Sequence, residues 1–232
     1  MDVVDLRPDL RMLVGTPGQA YLHRRGDEVL LVDTGPVGSG PALAAALRDW
    51  GLGPEAVTDV VLTHWHADHA GSAAEVATWP NARILVHAAD APVVRGERPG
   101  PPPVLTPAEE VLHRQVAGDL PDAPPARVDH ELADGEVLAS GARVLATPGH
   151  TAGSLALVLD DAGVVFTGDL AAEHEGGVIL GPFNVDRGLA HRSFRRFGGV
   201  DVELACFGHG RPVAGSVLRA AALAAEVPDP LG

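Results

Sequence analysis

The sequence contains no lysine, so its 17 basic residues are all arginine. That excludes Schiff-base chemistry on a lysine amine. It also removes a lysine anchor for a substrate carboxylate, leaving arginine, backbone N–H groups or bound metal to hold any anionic group. Cysteine is nearly as scarce. Cys206 is the single one, so no disulfide can close within the chain. Its setting, Leu204-Ala205-Cys206-Phe207, reads as a small buried hydrophobe rather than a nucleophile. No run is long and apolar enough to span a membrane. Met1 to Leu6 shows neither the basic nor the apolar region of a signal peptide, so a cytoplasmic location is expected. Positive charge is short overall, because 31 acidic residues against 17 basic ones give a formal net charge of −14. Nucleic acid needs a basic surface, so that class of partner is excluded. The expected partner is a small-molecule substrate, with no nucleic acid and no membrane. The length of 232 residues and hydrophobic content of 46% suffice for the core of one domain.

What the chain does have is histidine in one dense run. Thr63-His64-Trp65-His66-Ala67-Asp68-His69-Ala70-Gly71 puts three histidines and a carboxylate within six positions. Neutral imidazole and carboxylate suit zinc and related first-row metals. Packing explains such a run poorly, because each buried imidazole needs hydrogen-bond partners. The apolar stretch Thr58 to Leu62 leads in and predicts a strand. The small-residue stretch Ala70 to Ala77 leads out and predicts a helix. The ligands therefore belong on a strand-to-helix loop.

Adjacent residues cannot all close on one ion. In an extended segment His64 and His66 point the same way, while Asp68 and His69 follow the turn and face elsewhere. Two metals are the natural reading. Each needs further ligands, and three stops supply them: Thr147-Pro148-Gly149-His150-Thr151, Phe166-Thr167-Gly168-Asp169 and Phe207-Gly208-His209-Gly210. Each follows or interrupts an apolar run and is flanked by glycine, which lets the backbone turn sharply beside an ion.

With these motifs in order, the chain resembles the metallo-β-lactamase-fold hydrolases. The match is carried by Asp33-Thr34-Gly35, His64-x-His66-x-Asp68-His69, His150, Asp169 and His209, over about Leu13 to Pro212. The resemblance implies a four-layer αββα sandwich of the α+β class. It implies one metal on His64, His66 and His150, and a second on Asp68, His69 and His209. Asp169 would bridge both, together with a water or hydroxide. Asp33 would order the metal loops without being a ligand. Asp68 and Asp169 would be the catalytic carboxylates, able to pass a proton toward the leaving group. Two divalent ions are expected, Zn2+ first, with Mn2+ or Fe2+ as alternatives. The implied activity is hydrolysis of a small ester, thioester or lactone. The alternative within the family is a mononuclear iron enzyme like the persulfide dioxygenases, with His64, His150 and Asp169 on iron.

The branches of the family differ in their loops. Lactone-opening members place a tyrosine soon after the bridging aspartate, whereas Tyr21 is the only tyrosine here. Many β-lactam hydrolases use a lysine, which is absent. Arg187, Arg192, Arg195 and Arg196 are placed where an anionic tail could be held, although a solvated helix face is the simpler reading. His174, five residues after Asp169, could donate a proton to the leaving group.

Periodicity alone gives α/β or α+β. Strands are predicted at Ala20 to Leu22, Val29 to Val32, Arg83 to Val86, Val137-Leu138, Arg143 to Leu145, Leu155 to Leu159, Val164 to Thr167 and Leu204 to Phe207, with a turn at Arg25-Gly26-Asp27. Helices are predicted at Pro41 to Trp50, Leu189 to Phe197 and Leu218 to Glu226. The domain is expected to be single, residues 1–232, with a proline-rich insertion at about 91–125 that has a helical patch near Pro107 to Val116 and could cover the substrate. His23, His113, His130 and His191 are expected to be solvated.

Overall fold

Apolar runs of β-branched and leucine side chains set the sheets. The computed structural model describes residues 1–15, 17–116 and 120–232, and they divide into two compact units. The first comprises 1–100 and 120–132, and the second 101–119 and 133–232.

The first unit is built on a seven-stranded sheet with the strands in sequence order. Strands β1 (Asp2–Arg7), β2 (Leu10–Val14), β3 (Gln19–Arg25) and β4 (Glu28–Val32) run antiparallel. Strands β5 (Val57–Leu62), β6 (Arg83–His87) and β7 (His130–Leu132) continue the sheet in parallel from β4. The parallel strands must be covered, and β5 is accordingly buried except at Thr58. Edge strand β1 had no apolar period to announce it. It is largely exposed and carries Asp2, Asp5 and Arg7, charges that discourage pairing with another edge. Helix α1 (Gly40–Arg48) starts with Pro41 in its first turn, where the missing N–H costs nothing. It packs Leu43, Ala46 and Leu47 into the same core as Leu22, Leu31 and Ile84.

The helix predicted from Ala70 to Ala77 is broken in two, α2 (Ala67–Ala70) and α3 (Ala73–Val76). The physical reason is tertiary. Ser72 spends its N–H on the Gly35 carbonyl and Thr34 Oγ1, and its hydroxyl on the Pro36 carbonyl. A Cβ on Gly71 would lie 2.5 Å from the Val37 nitrogen, so the loop after Asp33 abuts the chain at this glycine. A short helix α4 (Ala91–Val94) completes the unit.

The second unit opens with α5 (Pro107–Val116), where the helical patch was predicted. Its main sheet has the order β14-β13-β10-β9-β8. Strands β8 (Arg143–Ala146), β9 (Leu155–Leu159) and β10 (Val164–Phe166) form an antiparallel meander. The hairpin β11 (Ala171–His174) and β12 (Gly177–Leu180) and helix α6 (Arg187–Phe194) then lead to β13 (Leu204–Cys206), parallel to β10. Strand β14 (Val213–Ala214) and helix α7 (Gly215–Leu223) end the unit. Phe194, Phe197 and Phe207 are fully buried in its core, each contributing roughly 1.5–3 kcal/mol. Cys206 is buried beside them, as the sequence suggested. Asp186 caps α6 by accepting from the Leu189 N–H at 2.8 Å.

Two further expectations need correction. Val137-Leu138 is not a strand, since only Val137 bridges to Arg143. His23 is not solvated: it is 8% exposed on β3, facing Asp9 at 3.8 Å. Burial comes first among the causes that lower its pKa, with Asp9 opposing. Among the described residues no helix is long and apolar enough to cross a membrane.

Candidate functional site

In the first unit the donors sit on the loop from β5 into α2, and Asp33 organises them from the end of β4. Asp33 adopts a left-handed backbone, φ +58°, which an aspartate tolerates better than most residues. Its Oδ1 accepts the Thr63 N–H at 2.7 Å, and its Oδ2 accepts the Thr63 hydroxyl at 2.8 Å and faces His69 Nδ1 at 2.9 Å. The single hydroxyl proton of Thr63 is thereby spent on Asp33. Toward His64 Nδ1, 3.0 Å away, that hydroxyl can only accept. His64 and His69 therefore both carry their proton on Nδ1, and Nε2 is the atom with a lone pair to offer. Both rings are buried. His66 is half-buried, with its ring centroid 4.6 Å from that of His64. Asp68 lies 3.4 Å from His69 Nε2. A Cβ on Gly18 would meet the Asp68 carbonyl at 2.4 Å, so β3 begins directly against this loop.

Trp65 points into the core cluster and also lines a cleft of ≈ 370 Å³ with Ala67, Ala70, Arg98 and Asp122. The indole lies close under Gly100, where an added Cβ would fall 2.2 Å from it.

In the second unit the donors come from three separate loops. Gly149 has φ +137° and its backbone touches Ala190. The loop carrying His150 is held where Val185 N–H donates to the His150 carbonyl at 3.2 Å and Asp186 N–H to Gly149 at 2.9 Å. His150 Nδ1 lies 3.1 Å from the Pro182 carbonyl. A carbonyl only accepts, so Nδ1 carries the proton and Nε2 the lone pair. Asp169 lies in a single 3-10 turn after β10. Its Oδ2 is 3.7 Å from His150 Nε2 and 3.2 Å from His209 Nε2. His209 stands between glycines on the loop after β13, its side chain 40% exposed. Glu173 pins that loop by accepting from the Arg211 N–H at 3.0 Å, and it also accepts from the Gly176 N–H of its own hairpin turn at 2.7 Å. These two backbone bonds hold its carboxyl below the ordinary range.

The donor chemistry fits divalent metal in both units. The first offers three imidazoles and a carboxylate, the second two imidazoles and a carboxylate. Three of the rings are fixed in the tautomer that presents Nε2. The sequence singled out Asp33 but not the relay through Thr63, whose only signal was its place directly before His64. It also missed Glu109, which is fully buried. The Thr106-x-x-Glu109 spacing of a capping box was the available signal.

The arginines considered for an anionic tail are largely engaged. Arg187 pairs with Asp229 and Glu109, Arg195 donates to the Ala224 and Ala225 carbonyls, and Arg196 pairs with Asp134 at 3.0 Å. Arg192 is exposed. His174 ends β11 at an exposed hairpin turn.

Comparison with known proteins agrees with this architecture. The Metallo-beta-lactamase superfamily profile matches residues 13–209, and the chain belongs to that superfamily, made up mostly of hydrolytic metalloenzymes. The probable metallo-hydrolase YflN of Bacillus subtilis is 29% identical over 211 residues, 82% of this chain and 78% of that relative. The hydroxyacylglutathione hydrolase of Rhodopseudomonas palustris is 35% identical over 133 residues, 56% of this chain. The matched region spans only 38% of that relative's length. Among solved structures, TTHA1623 in a di-iron-bound form superposes with a TM-score of 0.66 at 25% identity, over 94% of this chain and 96% of that one. The fold is thus the α+β sandwich of metallo-beta-lactamases.

Proposed function

We propose that this protein is a dinuclear metal hydrolase acting on a small ester, thioester or lactone. The observation that carries the reading is the tautomer lock. His64, His69 and His150 each have Nδ1 held by an acceptor, so in the neutral ring three Nε2 lone pairs face outward for metal. In this reading His64, His66 and His150 serve one ion, Asp68, His69 and His209 the other, and Asp169 both. The similarity to a hydroxyacylglutathione hydrolase supports the thioester class.

Divalent ions in such a site lower the pKa of a water toward ~7 and polarise a carbonyl oxygen. The chain's own residues do the rest. Asp33 and Thr63 fix the rings of His69 and His64 so that no reorganisation is needed during reaction. Asp68 is half-buried beside His69 and carries a proton toward the leaving group. Trp65 and its cleft offer an apolar wall for the acyl portion. Scarce free positive charge favours substrates without a large anionic tail, reached in a cytoplasmic setting as small molecules.

The first measurement is metal content and stoichiometry of protein purified without added metal, followed by proton release on lactones, thioesters, β-lactams and phosphodiesters. About two zinc or manganese ions per chain with turnover of an ester or thioester is the expected result. One iron per chain, with no further uptake of zinc, would sink the dinuclear reading and point to sulfur oxidation instead. Asp68→Asn should lower turnover more than substrate binding, and equal loss of both would remove Asp68 from proton transfer.

A further inference from the structure

Glu109 lies on α5 and is fully buried. Part of its role is local. Its Oε2 accepts the Thr106 N–H at 2.9 Å while its own N–H donates to Thr106 Oγ1 at 3.2 Å. That reciprocal pair is a capping box. A capping box does not need its carboxylate buried, and here the other oxygen reaches out of the helix. Oε1 accepts the Phe183 N–H at 2.8 Å and meets the Arg187 guanidinium.

Phe183 is held in a left-handed backbone, φ +64°, which bulky residues rarely adopt. Such a conformation persists only where the surroundings over-determine it, and it tends to mark functional sites. Here the same helix supplies two restraints. Glu109 takes the Phe183 N–H, and His113 stacks edge-on against the Phe183 ring at 5.0 Å and 89°. The Val104 N–H adds a third by donating to the Asn184 carbonyl at 2.9 Å.

The N–H of Phe183 and the carbonyl of Pro182 belong to one peptide group. That group is planar and rigid. Glu109 holds its N–H side, and His150 Nδ1 meets its carbonyl at 3.1 Å. An anion on the N–H of an amide polarises it and strengthens its carbonyl as an acceptor. We propose that Glu109 is a positioning residue for His150, acting through the single peptide plane of Pro182-Phe183 to fix the ring's orientation and its Nδ1–H tautomer. This rests on reading His150 as a metal-binding residue. It gives the helix of the proline-rich insertion a task in shaping the site.

The test reads His150 directly in metal-free protein. Ring 15N shifts in mildly alkaline buffer, assigned by the signal lost in His150→Gln, report the tautomer. Wild type should show Nδ1–H. Glu109→Ala should show mixed tautomers and bind Zn2+ about tenfold more weakly in competition with a chromophoric chelator. Glu109→Gln keeps an acceptor but not the charge, and should fall between. Thr106→Ala weakens the start of the same helix without touching the peptide plane, and should leave the tautomer unchanged. Near-UV circular dichroism checks that each variant is folded, and if Glu109→Ala is not, Glu109→Gln decides. A folded Glu109 variant with unchanged His150 tautomer overturns the proposal, as does a Thr106→Ala protein that shifts it equally. Wild type that takes up no metal, yet shows the Glu109-dependent tautomer, would defeat the hydrolase reading and leave this one standing.

Discussion

The two units present their metal-type donors in opposite ways. The first draws four of them from one loop, His64 to His69, and steadies it with a single carboxylate, Asp33. The second draws His150, Asp169 and His209 from three loops separated by whole strands, each fixed by different neighbours. One arrangement is local and is held by two neighbouring residues, Asp33 and Thr34, the latter donating its N–H and hydroxyl to the His69 carbonyl. The other is dispersed and depends on close backbone packing at glycines. The same chemistry can thus be prepared by a sequence motif or by the meeting of distant turns, and the two should fail differently.

The largest effect should come from the backbone of the second unit. Gly149→Ala would force φ +137° on an alanine and place its Cβ 2.3 Å from the Ala190 nitrogen. A loss of roughly 3 kcal/mol in urea denaturation is expected, with loss of metal uptake. In the first unit, by contrast, a side chain should matter most. Asp33→Asn keeps the shape but has one acceptor oxygen, so it cannot accept from the Thr63 N–H, the Thr63 hydroxyl and His69 all at once. Metal affinity should drop about 10- to 100-fold with the far-UV spectrum retained. An Asp33→Asn protein with unchanged metal affinity would refute the role of Asp33 as an organiser of that unit.

A smaller change is expected with pH. His23, buried in the first unit, has its pKa lowered from 6.5, chiefly by burial. The folded state then binds fewer protons than the unfolded one, so its stability is full above about 6.5 and declines as pH falls below it. His23→Gln should flatten the decline of Tm on acidification below that point. An equally steep decline would assign it to other groups. Smallest of all is the exposed pair of the second unit. Arg143 meets Asp160 through two contacts at 3.0 Å, and Arg143→Ala should cost no more than about 1 kcal/mol in denaturant titration.

The contrast also explains what could be read in advance. The helix Gly40–Arg48 and the strands Leu155–Leu159 and Arg83–His87 were legible because their periodicity and burial are properties of contiguous residues. Strand β1 was not, because it is an exposed edge with no apolar period. The break between α2 and α3 was hidden because bonds from Ser72 to residues far earlier in the chain outcompete the helix. Glu109 looked like any surface glutamate on a polar helix. Its burial follows from Phe183 and Arg187, more than seventy positions away.

The sequence by itself determined the types of candidate ligand, their order along the chain and hence the superfamily, since a metal's preference for imidazole and carboxylate is a matter of residue identity. It determined the absence of lysine and of any internal disulfide as well. Only the tertiary structure decided which ring nitrogen His64, His69 and His150 offer, because a tautomer is set by what the opposite nitrogen meets. It also decided that Arg187, Arg195 and Arg196 are engaged within the fold and that an insertion helix holds the peptide against His150. Hydrogen bonds of this kind join residues the chain keeps far apart, and no local pattern encodes them.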